Sequence, residues 1–321
     1  MWPALGLRDV GDESLAFAAQ LGLQHVVVYP DRILPGGGEE GPDYLDFLPL
    51  LKLKKRLESY GLTFDGLTLP ERVYRNVMLG TPARERDMER VCASIRNMGR
   101  AGIPIMAYNF RIVGVWGHWR SYESGGGRGG AGVKSFDYDL VKNAPLSEAG
   151  IVTAEEKWER IAYFLDRAVP VAEEAGVKLA CHPDDPPGTT LRGEARVLGN
   201  VEGLQRLLDM RPSPNNGLNF CQGTVQEMGT DVLAAIRRFG GQGKIFYVHF
   251  RNIKGVWPKF DEVFIDDGDL DMFTALQAYR EVGFQGPLFH DHSPRVAGDD
   301  RAGHRAAAYA VGLIKGLMRG V

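Results

Sequence analysis

Short runs of apolar residues alternate along this chain with stretches in which apolar positions recur every three or four residues. The first pattern is that of a buried strand and the second that of an amphipathic helix, so their alternation predicts βα units around a parallel sheet. Strands are predicted at 2–7, 25–29, 62–68, 103–110, 177–182, 217–221, 245–250 and 287–291. A helix follows from residue 12, where Asp12 and Ser14 compete as N-cap, and others span 43–60 (stopped by Gly61), 81–102, 153–174, 201–210, 231–239, 269–282 and 304–318. In the helix at 81–102 the buried stripe is expected near Met88, Val91, Ile95 and Met98. Eight strands and eight helices with no break in composition predict one (β/α)8 TIM barrel over 1–321, because closure leaves no strand edge exposed. No shorter repeat of the solenoid kind is visible.

One segment departs from the alternation. Residues 111–152, after strand four, hold Trp116, His118 and Trp119, then the run Gly125-Gly126-Gly127-Arg128-Gly129-Gly130-Ala131-Gly132. The glycines do not form a phosphate cradle, since no apolar strand feeds them and no Gly-Lys-Ser/Thr follows. A loop of this length is expected to be functional, a lid over the site, with plain disorder as the alternative. A second glycine run, Pro35-Gly36-Gly37-Gly38, follows strand two.

Composition narrows the function classes. Charged residues are 25% and hydrophobic ones 44%, ordinary for a soluble globular protein with a sizeable core. The net charge of −3 without a long basic run argues against nucleic acid or an anionic membrane as partner. The N-terminus lacks the charged and apolar regions of a secretory signal, and no apolar stretch approaches the roughly 20 residues of a membrane span. A cytoplasmic location is expected, as a homo-oligomer acting on a small molecule. The three cysteines, Cys92, Cys181 and Cys221, form no disulfide pattern and leave thiols free to ligate.

Four of the predicted strands end in metal-ligand chemistry: His182 on strand five, Cys221 on strand six, His249 on strand seven and Asp291 on strand eight. Their spacing is that of whole βα units and far too wide for a zinc finger. Barrel enzymes place their sites at the C-terminal ends of the strands. A lone histidine there is commonly structural and a lone cysteine packing, but four such residues at equivalent ends of consecutive strands converge on one point. By alternation Cys181 points away from the site, and His290 and His292 face opposite to Asp291 if the strand continues so far. His292 lies just beyond the strand, where the chain can turn it back. Mixed nitrogen, sulfur and carboxylate donors suit Zn²⁺ or Fe²⁺ by softness, and Mn²⁺ less obviously.

The motifs around these residues carry a resemblance. The stretches 106–110 (Met-Ala-Tyr-Asn-Phe), 181–187 (Cys-His-Pro-Asp-Asp-Pro-Pro), 217–223 (Gly-Leu-Asn-Phe-Cys-Gln-Gly) and 248–254 (Val-His-Phe-Arg-Asn-Ile-Lys), with Glu262 and 268–272 (Gly-Asp-Leu-Asp-Met), together resemble the mannonate dehydratase family from about Gly61 to Asp291. The resemblance implies a xylose-isomerase-like TIM barrel, a Mn²⁺ or Fe²⁺ cofactor on His182, Cys221, His249 and Asp291, and dehydration of D-mannonate to 2-keto-3-deoxy-D-gluconate in hexuronate catabolism. The sequence departs from the family's Arg-Pro-Asp-His-Gly at the end of strand eight, where Phe289-His290-Asp291-His292-Ser293 stands. Ile265 takes the place of a family histidine, and the family's closing tyrosine has no clear counterpart, though His304 and Tyr309 lie in that region. Arg295 and Arg305 are the candidates for a replacement cation.

Elimination of water from a 2,3-dihydroxy acid requires loss of the C2 proton and of the C3 hydroxyl, with the developing charge stabilised. His292 is the expected proton-handling residue, with an orienting bond to Asp291 as its alternative role. Arg251, also counted as catalytic, is expected to grip the substrate carboxylate in a bidentate fork, helped by Lys254. Asp184, Asp185, Tyr108 and Asn109 are expected to order the mouth or bind sugar hydroxyls, one of the last two facing outward. A metal-dependent sugar isomerase or epimerase on the same barrel, or a non-catalytic sugar-binding relative, remain the alternatives, although isomerases favour more acidic ligand sets than one containing Cys221.

Overall fold

The computed structural model describes residues 1–30, 44–113, 118–120 (backbone only), 126–300 and 302–321. Its main sheet is all parallel and runs Trp2–Pro3, Pro287–Phe289, Ile245–His249, Asn216–Cys221, Lys178–Cys181, Ile105–Tyr108, Thr63–Thr68, His25–Val28, Leu5–Leu7. The two ends of that list are halves of one stretch interrupted at Ala4. Trp2 pairs with Pro287 and Leu5 with Val26, so the first strand is shared between the last and the second, and the sheet closes into the barrel. The neighbouring backbone supports the closure, Ala4 N–H donating to the Leu288 carbonyl at 3.0 Å and Tyr29 N–H to that of Leu7 at 2.8 Å.

Strand alternation separates two cores. Ala4, Val27, Ile105, Ala107, Ala180, Tyr247 and Phe289 fill the barrel interior. Their neighbours point outward to the helices, as do Leu218, Phe220 and Val248 against Ile236, Phe239 and Tyr279. The helical register is set by local chemistry: Thr153 and Glu156 form a capping box on Ala154–Ala175, and Asp46, Asn200, Asp231 and Asp271 cap the helices they precede. Helices Val201–Met210 and His304–Met318 fall on the predicted bounds. Helix Phe47–Ser59 starts later than predicted, behind its Asp46 cap. Two short helices, Arg75–Leu79 and Gln222–Glu227, were not predicted. Strand eight stops at Phe289 because ladder partners on strand seven end at His249. No described helix is long and apolar enough to cross a membrane.

Part of the 111–152 insertion forms a second, antiparallel sheet. Lys134–Asp137 pairs with Lys259–Glu262, which in turn forms a hairpin with Ile253–Val256 after strand seven; His118–Arg120 adds on the outer side. Phe136, Ile253 and Phe260 make its small core, with Trp257 stacked on Phe136. Of the glycine run, residues 126–132 are described and turn back to the barrel, Gly132 and Arg295 exchanging backbone hydrogen bonds. Trp116, Gly125 and the run 35–38 lie outside the described residues.

Candidate metal centre

Donor atoms of His182, Cys221, His249 and Asp291 all lie within 4.8 Å of one another at the C-terminal mouth of the barrel. Three of them reach it by alternation: Cys221 and His249 are register partners on strands six and seven, one position past outward-facing Phe220 and Val248, and His182 follows outward-facing Cys181. Asp291 comes from the loop beyond Phe289, so strand alternation does not govern it or its neighbours. His182 Nδ1 donates to the Pro183 carbonyl at 2.7 Å, so Nε2 is the nitrogen not committed to the backbone.

The electrostatics suit a cation. Burial raises the Cys221 thiol, but Arg251 and His182 outweigh it and draw it well below the usual thiol range. Asp291 is likewise raised by burial and pulled further down by His249 and His292. Burial lowers His249, yet Asp291 and Cys221 bring it up to about 9.

Behind this quartet lies a charged cluster organised by Arg251, which is 2% exposed. Its guanidinium donates to Asp185 at 2.7 Å and Thr224 at 2.9 Å, pairs with Glu227 at 2.9 Å and Glu262 at 3.5 Å, and its Nε donates to Cys221 Sγ at 3.3 Å. Thr224 gives the sulfur a second donor at 3.1 Å. Gly223 is what lets the chain pass: a Cβ there would stand 2.5 Å from Arg251 Cγ. Asp185, Glu227 and Glu262 also cluster closely enough for an ion, but the guanidinium among them already supplies the counter-charge. Burial and Asp185 hold Glu227 well above the carboxylate range against the pull of Arg251. Arg251 therefore does not reach the cleft to grip a substrate, because five buried acceptors compete for it from behind.

Other expectations divide. His292 lines the cleft with Nδ1 at 2.6 Å from Glu262 and Nε2 at 3.4 Å from Asp291. Asn109 lines it too, its Nδ2 donating to Glu71 at 2.9 Å. Tyr108 borders the cleft, but its ring packs outward against Phe164 and Phe110, so it is the outward-facing one of the pair. Asp184 is turned away: with Glu194 it neutralises the buried ammonium of Lys157, and it accepts from Leu198 N–H. Its neighbour Asp185 takes the cleft side. Lys254 is half exposed on the outer hairpin and paired with Asp267 at 2.8 Å, not part of the mouth. Arg295 and Arg305 are exposed and do not line the cleft, and Tyr309 is held by Asp266 on the outside. His304 pairs with Asp300 and packs on Phe17, away from the cleft. His290 is pushed down to about 4 by burial and stays neutral.

Several cleft residues escaped sequence reasoning. Arg8, Tyr29, Thr68, Arg111 and Asn219 also line it. Tyr29 Oη lies 3.3 Å from His249 Nε2 and donates to Asp291 at 3.5 Å. The signal was present: the rule that sites gather at strand ends applies to strands one to four as much as to five to eight. Glu227 had no such signal, lying in an unpredicted helix of six residues.

Comparison with known proteins bears on this site. The family model described as D-mannonate dehydratase (UxuA) matches residues 38–149 and 145–321. Mannonate dehydratase 2 of Halalkalibacterium halodurans is 34% identical over 278 residues, 78% of this chain and 79% of that protein. The crystal structure of mannonate dehydratase from Streptococcus suis superposes with a TM-score of 0.86 at 27% identity, covering 100% of this chain and 93% of that one. A xylose isomerase domain protein from Planctomyces limnophilus shares the fold at a TM-score of 0.65 and 14% identity, covering 100% of this chain and 98% of its own.

Proposed function

Because the chain belongs to the mannonate dehydratase family and has its xylose-isomerase-like barrel, we propose that it is a hydro-lyase that removes water from D-mannonate or a closely related hexonate, giving a 2-keto-3-deoxy acid. The observation that carries the reading is the convergence of His182, Cys221, His249 and Asp291 at the mouth of the barrel. The four fit a divalent ion by donor type, by a His182 whose other ring nitrogen is fixed to the backbone and by a thiol drawn toward thiolate. Mn²⁺ or Fe²⁺ is the proposed occupant, with Zn²⁺ the third ion these donors admit. When bound, such an ion supplies Lewis-acid stabilisation of the negative charge that develops on the substrate as the C2 proton leaves.

The chain's own residues supply the rest. Glu262 fixes His292 through Nδ1, so its other nitrogen faces the cleft beside Asp291 and is the group placed to take or return a proton. Arg251 draws Cys221 toward thiolate and anchors Asp185, and thereby the Pro183–Pro187 turn beside His182. The buried Lys157, Asp184 and Glu194 fasten the other side of that turn, and Glu194 also accepts from the backbone N–H groups of Ile112 and Val113 at 2.9 and 3.0 Å. We read 111–152 as a cover for the cleft, because its described strand Lys134–Asp137 pairs with the strand that carries Glu262. The setting is proposed to be cytoplasmic hexuronate catabolism. The test is anaerobic metal analysis followed by incubation of the loaded protein with D-mannonate and its epimers: a 2-keto-3-deoxy acid is expected, and its absence from every hexonate overturns the proposal.

A further inference from the structure

A sugar acid brings a negative charge into a mouth that already holds a thiol drawn toward thiolate and the carboxylates of Asp185 and Asp291. Beside the divalent ion proposed above, a cation of the chain would answer it. Arg251 is enclosed by acceptors, and Lys254, Arg295 and Arg305 lie elsewhere. Among the described residues, the lysines and arginines lining the cleft are Arg8 and Arg111.

We infer that Arg8 and Arg111 form the carboxylate-recognition element of this cleft, an inference that rests on the sugar-acid reading above. Their placement follows from strand order. Strands five to eight lead into the four candidate ligands; Arg111 follows strand four, the neighbour of strand five, and Arg8 follows strand one, which lies between strands eight and two. The two arginines therefore bracket the ligand set on both sides.

Each is held in position, and among the described residues neither forms an ion pair. The Arg8 guanidinium lies 4.2 Å over the Tyr29 ring, whose hydroxyl touches His249 and Asp291, so the charge stands one aromatic ring away from two of the ligands. Stacking restrains the guanidinium and leaves its fork of N–H donors in the plane, open to a planar carboxylate. Arg111 sits where the chain is clamped: its N–H donates to Asn109 Oδ1 at 3.2 Å, and the next two N–H groups are held by Glu194. Its Nε is nonetheless buried with no hydrogen-bond partner among the described residues. A buried donor left unmade costs free energy unless a ligand completes it, and a carboxylate oxygen is the acceptor that suits it.

The experiment is calorimetric titration of metal-loaded protein with D-mannonate, D-gluconate and the neutral polyol D-mannitol, for wild type, Arg8→Gln, Arg111→Gln, the double variant, and Arg8→Lys with Arg111→Lys. Each glutamine variant should bind the aldonates about tenfold or more weakly. Mannitol affinity should stay unchanged, lysine should restore part of the loss, and in turnover the effect should fall on KM more than on kcat. Unchanged aldonate affinity in the double variant overturns the inference, as does an equal loss for aldonate and mannitol, which marks a structural role. Arginine-dependent aldonate binding without any dehydration supports the inference and overturns the dehydratase reading; dehydration with an unaltered KM in the double variant does the reverse.

Discussion

Arg251 shows how burial changes the meaning of a side chain. On the sequence it is a cation just past a strand end, in the right place to hold a substrate; in the folded chain its guanidinium is enclosed by Asp185, Glu227, Glu262 and Cys221. Removing one partner of a buried ionic cluster leaves the others desolvated and unpaired, so Arg251→Met should cost about 3–5 kcal/mol in urea unfolding. Lys254→Ala, on a half-exposed pair, should stay within about 0.5 kcal/mol and leave KM unaltered. Cys221→Ser tests the ligand set itself: metal affinity measured by competition with a chelator should fall by more than about tenfold, since even partners outside the ligand shell commonly cost that much. Residue type and strand-end position made the quartet legible in the sequence. The roles of Arg251, Asp184 and Lys254 were not legible, because each depends on which partners arrive from other strands.

At the scale of elements, the hairpin Ile253–Val256 and Lys259–Glu262 joins the barrel to the insertion. It carries Glu262 inward to His292 and offers its other edge to Lys134–Asp137. The insertion is fastened a second time where Arg128 forms a double hydrogen bond to Asp266 and lies over Phe264, with Tyr309 on the same carboxylate. Arg128→Ala should therefore raise the rate of limited proteolysis within 126–141 while shifting global stability by less than about 1 kcal/mol, as an exposed pair does. Periodicity located the long helices well, and capping residues explain their starts. It missed Arg75–Leu79 and Gln222–Glu227 because such short helices show too little of a repeat, and it missed the antiparallel sheet because its strands come from segments more than a hundred residues apart in sequence.

For the whole molecule, the mouth of the barrel concentrates charge that depends on pH and on metal. Burial raises Glu262, but His292 and Arg251 together outweigh it and hold it down to about 2, below its ordinary value of 4.5. A carboxylate depressed in the folded state stabilises above its unfolded value and loses that contribution as pH falls through the folded one. Metal-free protein should thus lose stability between about pH 4.5 and 2, and Glu262→Gln should flatten the dependence in that window when melting is followed by circular dichroism. Metal loading should raise Tm by mass action, and stripping with chelator should reverse it; a Tm that ignores Mn²⁺, Fe²⁺ and Zn²⁺ alike would count against the centre. Local chemistry along the chain was sufficient for the barrel, the order of its strands and the four converging ligands, because each follows from periodicity and from which residue ends a strand. Tertiary structure alone decided that Arg251 is enclosed and that Asp185 and not Asp184 faces the cleft. Charges find their partners through space, and closure of the barrel brings together strand ends that the sequence keeps far apart.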